Sequence, residues 1–319
     1  MAPKILLTDN PLSAMDIARE LAPSGFDTVI ARSGSPEFNA ALADAEYIVG
    51  LGEVKMDDAF YKSAPKLKLV QLLSAGYDRV DIEAARRAGV PVCNNGGANA
   101  IAVAEHAILL MLAVCRRLTW LHEMVKSGRW RGNDVASVRL YELHGRTLGI
   151  IGLGNIGKKV ARLAQGFGMA VQYFDIARLS EDAADTLGVK FRLLNEVLRT
   201  SDIVSLHVPL RPETTHLIDA RRLALMKPTA VLVNTARGPV VDEAALADAL
   251  HSGALFAAGI DVYEREPEVH PRLLSAPRAV LLPHVGSGSV ATRTRMAQLA
   301  CEGALAVLAG DTPPNLVNP

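Results

Sequence analysis

The sequence predicts an α/β protein built from two doubly wound, parallel-sheet units, and three observations carry that expectation. Short β-branched or apolar runs alternate with longer helical patterns along nearly all of the 319 residues. The runs are continuously apolar, as strands covered on both faces are. They also fall into two series, separated by the turn cluster Asn94-Asn95-Gly96-Gly97-Ala98. In the first series, residues 4–7, 47–49, 69–72 and 90–93 read as strands, and 13–21, 57–63 and 81–88 as helices. Residues 100–118 then read as one long, largely buried helix. In the second series the strands are 148–151, 171–174, 203–207, 230–234 and 257–261, with 156–167 and 243–252 the clearest helices. Gly286-Ser287-Gly288 precedes a last amphipathic helix, 290–308, which has no strand of its own to cover and is expected to return to the first unit. The expected division is residues 1–98 plus 288–319 around an inserted 99–287.

Composition narrows the function classes. With 34 Lys+Arg against 34 Asp+Glu, the chain lacks the positive field that non-specific nucleic-acid binding needs. Half the residues are apolar and 21% are charged, far from a disordered composition. The longest uninterrupted apolar run, 107–115, is about half of a membrane span. The first residues are too few for a signal-peptide core. Three widely spaced cysteines, Cys93, Cys115 and Cys301, fit reduced thiols in the cytoplasm.

Gly152-Leu153-Gly154-Asn155-Ile156-Gly157 directly follows the strand 148–151 and opens a helix. That is the context of a dinucleotide-binding turn. Gly152 permits the tight turn, Gly154 lets backbone approach a pyrophosphate, and Gly157 lets helix and strand pack closely. The helix N-terminus offers unpaired N–H groups and partial positive charge. Asp175 ends the next strand, eighteen residues past Gly157. Its carboxylate would accept from ribose hydroxyls and repel a 2′-phosphate, which favours NAD over NADP, with Arg178 close enough to soften the repulsion. The alternative is a plain tight turn with a solvated Asp.

Arg237, Glu266 and His284 follow later strands, at the end of the sheet where open α/β sheets bind ligands. Arg can hold a carboxylate and polarise a ketone, and His can give a proton to a forming alkoxide. A carboxylate beside the His would orient the ring and favour its protonated form, the expected part of Glu266. Taken singly, each is equally a surface cation, a loop acid or a structural donor.

The string from His144 to Gly157, HGRTLGIIGLGNIG, resembles the D-isomer-specific 2-hydroxyacid dehydrogenase family. So do His207-Val208-Pro209-Leu210, the run from Asn234 to Asp242, Gly259-Ile260-Asp261-Val262-Tyr263 and Pro283-His284-Val285-Gly286-Ser287. The resemblance runs in order from about Leu69 to Ser289. It implies two Rossmann-like domains, with the cofactor domain inserted into a discontinuous substrate domain. It also implies Arg237, Glu266 and His284 as the catalytic set, and a homodimer joined along the long helix and its continuation. Ala75 and Gly76 match a substrate loop whose N–H groups hold the carboxylate, with Arg237 and His284 completing the substrate contacts. Asn155 and Ile156 match residues whose amides face the pyrophosphate. His207, Val208, Pro209 and Thr214 match a loop beside the adenosine, though His207 as a merely structural residue stays open. Thr235, Ala236 and Asp261 match contacts around the nicotinamide and its ribose, and Val103 an apolar residue packed on it. Gly286 belongs to the same cofactor set; Glu105 and His106 read as structural.

Within the family, formate dehydrogenases pair the catalytic His with Gln, so Glu266 argues against formate. Phosphoglycerate dehydrogenases usually carry an arginine in the segment matching 49–54, which here has none, and often a C-terminal regulatory domain, whereas this chain stops at Pro319. The expectation is a small unphosphorylated 2-oxo acid such as glyoxylate or hydroxypyruvate, with Tyr77 and residues 130–141 as candidates for selecting its side chain. A phosphoglycerate dehydrogenase without a regulatory domain is the alternative. A corepressor-like protein that senses NADH through protein partners is the reading from another class, though such proteins usually carry a long polar C-terminal tail.

Overall fold

The computed structural model describes residues 2–9, 24–50, 55–78, 80–130, 135–136 and 138–319. The expected helix 13–21 lies outside them, as do 51–54 and parts of the candidate segment 130–141. The chain forms two compact units, Met1–Asn99 with Ser287–Pro319, and Ala100–Gly286.

The first unit begins with β1 (Lys4–Asp9), β2 (Asp27–Arg32), α1 (Pro36–Leu42), β3 (Tyr47–Gly50), α2 (Asp58–Ser63), β4 (Leu69–Leu72), α3 (Ile82–Ala88) and β5 (Val92–Cys93). Among its described residues five strands pair in parallel in the order β2-β1-β3-β4-β5. Side-chain caps start the helices: Ser35 accepts from Phe38 N–H, Asp57 from Ala59 and Phe60, and Asp81 from Ala84. Asp57 and Asp81 therefore stand just before the helices, and the expected bounds 57–63 and 81–88 lose one residue each. The expected strand 90–93 shortens to Val92–Cys93 because Pro91 has no N–H for the ladder, although its carbonyl still accepts from Val70. Edge strand β2 escaped the sequence reading; its partly exposed side chains break the apolar run that marks a buried strand.

The second unit holds α4 (Ala100–Cys115), α5 (Leu118–Lys126), β6 (Thr147–Ile151), α6 (Asn155–Gly166), β7 (Ala170–Phe174), α7 (Glu181–Leu187), β8 (Val189–Phe191), α8 (Leu194–Thr200), β9 (Ile203–Leu206), α9 (Ala220–Leu223), β10 (Val231–Asn234), α10 (Glu243–Ser252), β11 (Ala257–Ile260), α11 (Pro271–Leu274) and β12 (Ala279–Leu281). Among the described residues seven parallel strands run in the order β12-β11-β10-β9-β6-β7-β8. The order reverses at β6, next to β9, which makes the carboxyl end of β6 a topological switch point. Neighbouring Ile150 and Ile151 go to opposite faces: Ile150 joins Leu110, Val160 and Tyr173, and Ile151 joins Val204, Leu232 and Leu246. Helix α4 is apolar nearly all round, with Leu110, Met111 and Val114 buried. It comes close to β11, where a Cβ on Gly259 would lie 3.0 Å from Leu110 Cβ. The expected single helix 100–118 is corrected: α4 ends at Cys115, Arg117 turns left-handed at φ 52°, and α5 starts anew at Leu118. A left-handed arginine costs about 1–2 kcal/mol. Its guanidinium lies 5.7 Å from the Trp120 ring centroid, a contact that offsets part of that cost.

The chain then returns to the first unit with α12 (Val290–Ala309). Its small face, Ala297, Ala300 and Ala304 with Met296, covers Ile5, Leu7, Tyr47, Val49 and Leu69 of the sheet. After it, Leu316 bridges antiparallel to Cys93, and Val317 N–H donates to Val92 O at 2.9 Å. Asn318, only 8% exposed, completes the edge. Its Oδ1 accepts from Val92 N–H at 2.6 Å and its Nδ2 donates to Val90 O at 2.8 Å. Asn318→Ala leaves the Val92 N–H of β5 and the Val90 carbonyl just before it without these partners, a loss of about 1–3 kcal/mol for each group. Urea unfolding followed by circular dichroism should show a lower midpoint, and an unchanged midpoint would contradict this role.

Candidate active site

The turn after β6 is set by its glycines. Gly152 has φ 94°, and a Cβ on it would lie 2.7 Å from the His207 carbonyl. A Cβ on Gly157 would collide with the Gly152 carbonyl, while Gly154 faces open space and Asn155 is exposed. Backbone therefore closes the turn from within, where Gly152 N–H donates to Phe174 O at 2.9 Å, and Ile156 at the start of α6 is half-buried. Asp175 follows β7 and is tied to this turn: Oδ2 accepts from Leu153 N–H at 2.6 Å and Oδ1 from Ala177 N–H at 2.9 Å. Arg178 is drawn aside, 4.9 Å from the Phe191 ring centroid.

Beyond β9, His207 continues the ladder by donating its N–H to Ile151 O at 2.8 Å. Its Nε2 lies 2.9 Å from Ser205 Oγ, and its buried Nδ1 has no partner among the described residues. Burial pushes this histidine down to about 3, so the ring is neutral. Val208 and Pro209 follow, and Thr214 folds the loop back, accepting from Arg211 N–H at 2.8 Å and donating to Pro209 O at 2.7 Å.

Asn234, at the end of β10, folds the next turn: Oδ1 accepts from Ala236 N–H and Nδ2 donates to Arg237 O, both at 3.0 Å. Thr235 is buried with Oγ1 unpartnered among the described residues. Arg237 Nη1 donates to Ala236 O at 2.8 Å. Gly238 packs directly on backbone beyond β11, since a Cβ there would overlap the Tyr263 carbonyl. Asp261, 1% exposed, accepts from Val285 N–H at 3.0 Å and Gly286 N–H at 2.9 Å. His106 Nε2 lies 3.2 Å from Asp261 Oδ1, and Val103 is buried on the same helix, α4. A carboxylate has about four lone-pair sites, so Asp261 keeps acceptor capacity beyond these contacts.

The structure brings His284 and Glu266 together. His284 takes φ 53°, and its Nδ1 lies 2.8 Å from Glu266 Oε2, while Glu266 Oε1 accepts from Tyr263 N–H at 3.1 Å. A carboxylate only accepts, so Nδ1 carries hydrogen and Nε2 is the nitrogen left for chemistry. The His284 side chain is 41% exposed and that of Glu266 22%. Tyr263 ties the neighbouring strands together, its hydroxyl donating to Leu282 O at 2.9 Å. Burial first, then the Asp261, Glu243 and Glu266 carboxylates, push its phenol up to about 12.

Ala75 and Gly76 lie in the first unit, on a loop held by its carbonyls. Ser74 Oγ donates to Gly76 O at 2.6 Å, Asn94 Nδ2 to Ala75 O at 2.9 Å, and Asn95 N–H to Ser74 O at 3.1 Å. Among the described residues neither the Ala75 nor the Gly76 N–H donates. Tyr77 is 37% exposed. Two residues escaped the functional reading of the sequence: His106, whose contact with Asp261 no local pattern announces, and Glu243, which in sequence is one more acid at a helix start. Among the described residues no His/Cys/Asp/Glu cluster could hold a metal ion, and no helix is long and apolar enough to cross a membrane.

Residues 108–286 match the family of the D-isomer specific 2-hydroxyacid dehydrogenase NAD-binding domain. Glyoxylate reductase of Thermococcus onnurineus is 43% identical over 281 residues, spanning 87% of this chain and 84% of its own. D-Lactate dehydrogenase of Aquifex aeolicus, solved with NAD and lactic acid, superposes with a TM-score of 0.87 at 28% identity over 99% of each chain. The NADPH-dependent glyoxylate/hydroxypyruvate reductase of Sinorhizobium meliloti, solved with NADP and malonate, gives 0.85 at 31% identity over 99% of this chain and 97% of its own.

Neutral His207 makes stability depend on pH. Its folded value of about 3 lies below the ordinary 6.5, so the unfolded chain takes up this proton first. Its contribution is complete above about pH 6.5 and is lost as pH falls toward 3, at up to about 1.4 kcal/mol per pH unit. His207→Gln should flatten the acid side of a stability–pH curve measured by urea unfolding between about pH 7 and 4. The same slope in both proteins would show that the ring is not held neutral.

Proposed function

Because the chain belongs to the D-isomer-specific 2-hydroxyacid dehydrogenase family, we propose that it reduces a small, unphosphorylated 2-oxo acid of the glyoxylate or hydroxypyruvate type with NADH. The observation that carries this reading is the 2.8 Å contact of His284 Nδ1 with Glu266 Oε2, at the carboxyl ends of the strands in the unit that holds the Gly-rich turn. The residues around that turn fit a dinucleotide: side chains on Gly152 and Gly157 would clash with backbone, Gly154 faces open space, and buried Thr235 Oγ1 and His207 Nδ1 lack partners among the described residues. A nicotinamide dinucleotide would supply the hydride.

The chain's own groups do the rest. Glu266 orients the His284 ring and offsets the charge of its protonated form, so Nε2 can deliver a proton to the oxygen that becomes the hydroxyl. Arg237 pairs with the substrate carboxylate and polarises the carbonyl through its planar fork. In the first unit, the Ala75 and Gly76 N–H groups are assigned to holding a substrate carboxylate. The outer amides of the Gly-rich turn, including those of Asn155 and Ile156, hold the pyrophosphate. Val208, Pro209 and Thr214 border the adenosine, and Val103, Thr235, Ala236, Asp261 and Gly286 the nicotinamide end.

Asp175 supports NADH over NADPH. Its carboxylate stands at the turn, where a 2′-phosphate would meet negative charge, and the Arg178 guanidinium is stacked on Phe191 instead of facing it. Relatives named glyoxylate reductase at 43% identity favour the small acid. We assign the protein to the cytoplasm as a homodimer; the exposed apolar residues Leu109, Leu118, Val125 and Trp130, on α4, α5 and just beyond, are surface that a second copy would cover.

The experiment is oxidation of NADH and NADPH with glyoxylate, hydroxypyruvate, pyruvate, phenylpyruvate and phosphohydroxypyruvate. Turnover of NADH with one of the first two is the expected result. Preference for the phosphorylated acid would favour the phosphoglycerate reading, and tight NADH binding without turnover a sensor. His284→Ala should lower reduction by about 10²-fold or more while fluorescence-monitored NADH binding persists; parallel loss of both would remove the residue from the chemistry. Asp175→Ala should narrow the NADH/NADPH ratio of kcat/KM, and an unchanged ratio would place the discrimination elsewhere.

A further inference from the structure

We propose that Glu243 is a positioning residue for this reaction: it fastens the segment that carries Glu266 and so fixes the Glu266 carboxylate against the His284 ring. The inference rests on the catalytic reading above and adds a residue to it. Glu243 opens helix α10, where an acid ordinarily stays solvated and merely favours the helix N-terminus. Here it is 6% exposed. The helix is already capped by Asp242, whose Oδ1 accepts from Ala245 N–H at 2.9 Å. The Glu243 carboxylate instead leaves its own helix. Its Oε1 accepts from Glu264 N–H at 2.5 Å and its Oε2 from His270 N–H at 3.2 Å.

Those two amides bracket residues 264–270, and Glu266 lies between them. The clamp is reciprocal, because Glu264 Oε1 accepts from Glu243 N–H at 2.9 Å and faces His216 Nε2 at 3.3 Å. Inside the bracket the backbone has little support of its own beyond the Arg265–Glu268 bridge, with Glu268 N–H donating to Arg265 O at 2.9 Å. The anchors at 264 and 270 hold the backbone from which the Glu266 carboxylate reaches Tyr263 N–H and His284 Nδ1. The same backbone lies against Gly238, the residue after Arg237. His216, Asp242, Glu264, Arg265, Glu268 and His270 line the cavity beside Glu243, and Glu266 is the charged partner of His284.

Truncating Glu243 strands two N–H groups, which turn toward water and take the segment with them. A displacement of about 1 Å at a reacting group can cost about 10²-fold in rate. Glu243→Ala is therefore expected to lower kcat for glyoxylate reduction about tenfold or more, with KM for NADH within about twofold. Glu243→Gln keeps the length and one acceptor oxygen and should recover part of kcat. If the alanine variant fails to fold, judged by its thermal midpoint, the glutamine variant carries the comparison.

A spectroscopic readout is independent of turnover. In 15N-histidine-labelled protein the Nδ1 proton of His284, assigned by its loss in His284→Asn, should weaken or move in Glu243→Ala and partly return in Glu243→Gln. Unchanged kcat and proton resonance in a folded Glu243 variant would overturn the proposal. If the unmodified chain reduces none of the oxo acids, the functional reading fails, while the resonance still decides whether Glu243 holds Glu266 in place.

Discussion

Six parallel strands of the second unit end in register, with Phe174 of β7 beside Ile151 of β6, and the loops that carry the candidate site residues leave the sheet from these ends. Ile151 pairs with Leu206, Leu206 with Asn234, Asn234 with Ile260, and Ile260 with Leu281. The ladder runs one residue further at several edges: His207 N–H donates to Ile151 O, Asp261 to Asn234 O and Leu282 to Ile260 O. Gly152, His207, Thr235 and Asp261 are consequently set side by side by backbone geometry alone, before any side chain contributes. Parallel pairing sends all the following loops out at one end of the sheet, so residues far apart in sequence share a rim.

Once the ladder stops, the loop amides need acceptors, because a buried N–H without a partner costs about 1–3 kcal/mol. This protein answers with carboxylates. Asp175 takes Leu153 and Ala177, Asp261 takes Val285 and Gly286, Glu266 takes Tyr263, and Glu243 takes Glu264 and His270. Hydrogen bonds to charged acceptors are stronger than neutral ones, so a few acids can stiffen loops that have no regular structure. Burial first, and then the Asp261, Glu243 and Glu266 carboxylates among these acids, raise the Tyr263 phenol.

Much of this was legible because it leaves a mark on the chain itself. Continuous apolar runs disclosed the central strands, and the glycine spacing disclosed the turn after β6, where the need for no side chain is local and absolute. His284, Glu266 and Arg237 became legible only together, within motifs whose order matched a family. The rest was hidden for physical reasons. Edge strands β2 and β8 are short or half-exposed, so their pattern resembles loop. The break at Arg117 uses neither Gly nor Pro; a left-handed arginine is held there by its surroundings. Glu243 carries no signal at all, since its partners are main-chain amides, which every residue but proline possesses.

The first unit is divided in the chain, with α12 and the segment that pairs on β5 following the whole of the second unit. Growing from a ribosome, the first sheet emerges early but lacks the helix that covers Ile5, Tyr47, Val49 and Leu69, as well as the edge partner supplied by Val317 and Asn318. The second unit, Ala100–Gly286, is contiguous and can fold as soon as it has been made. During synthesis, therefore, the half with the Gly-rich turn matures first. The half with the Ala75–Gly76 loop waits with an apolar face uncovered, the stage at which a nascent chain most needs a chaperone.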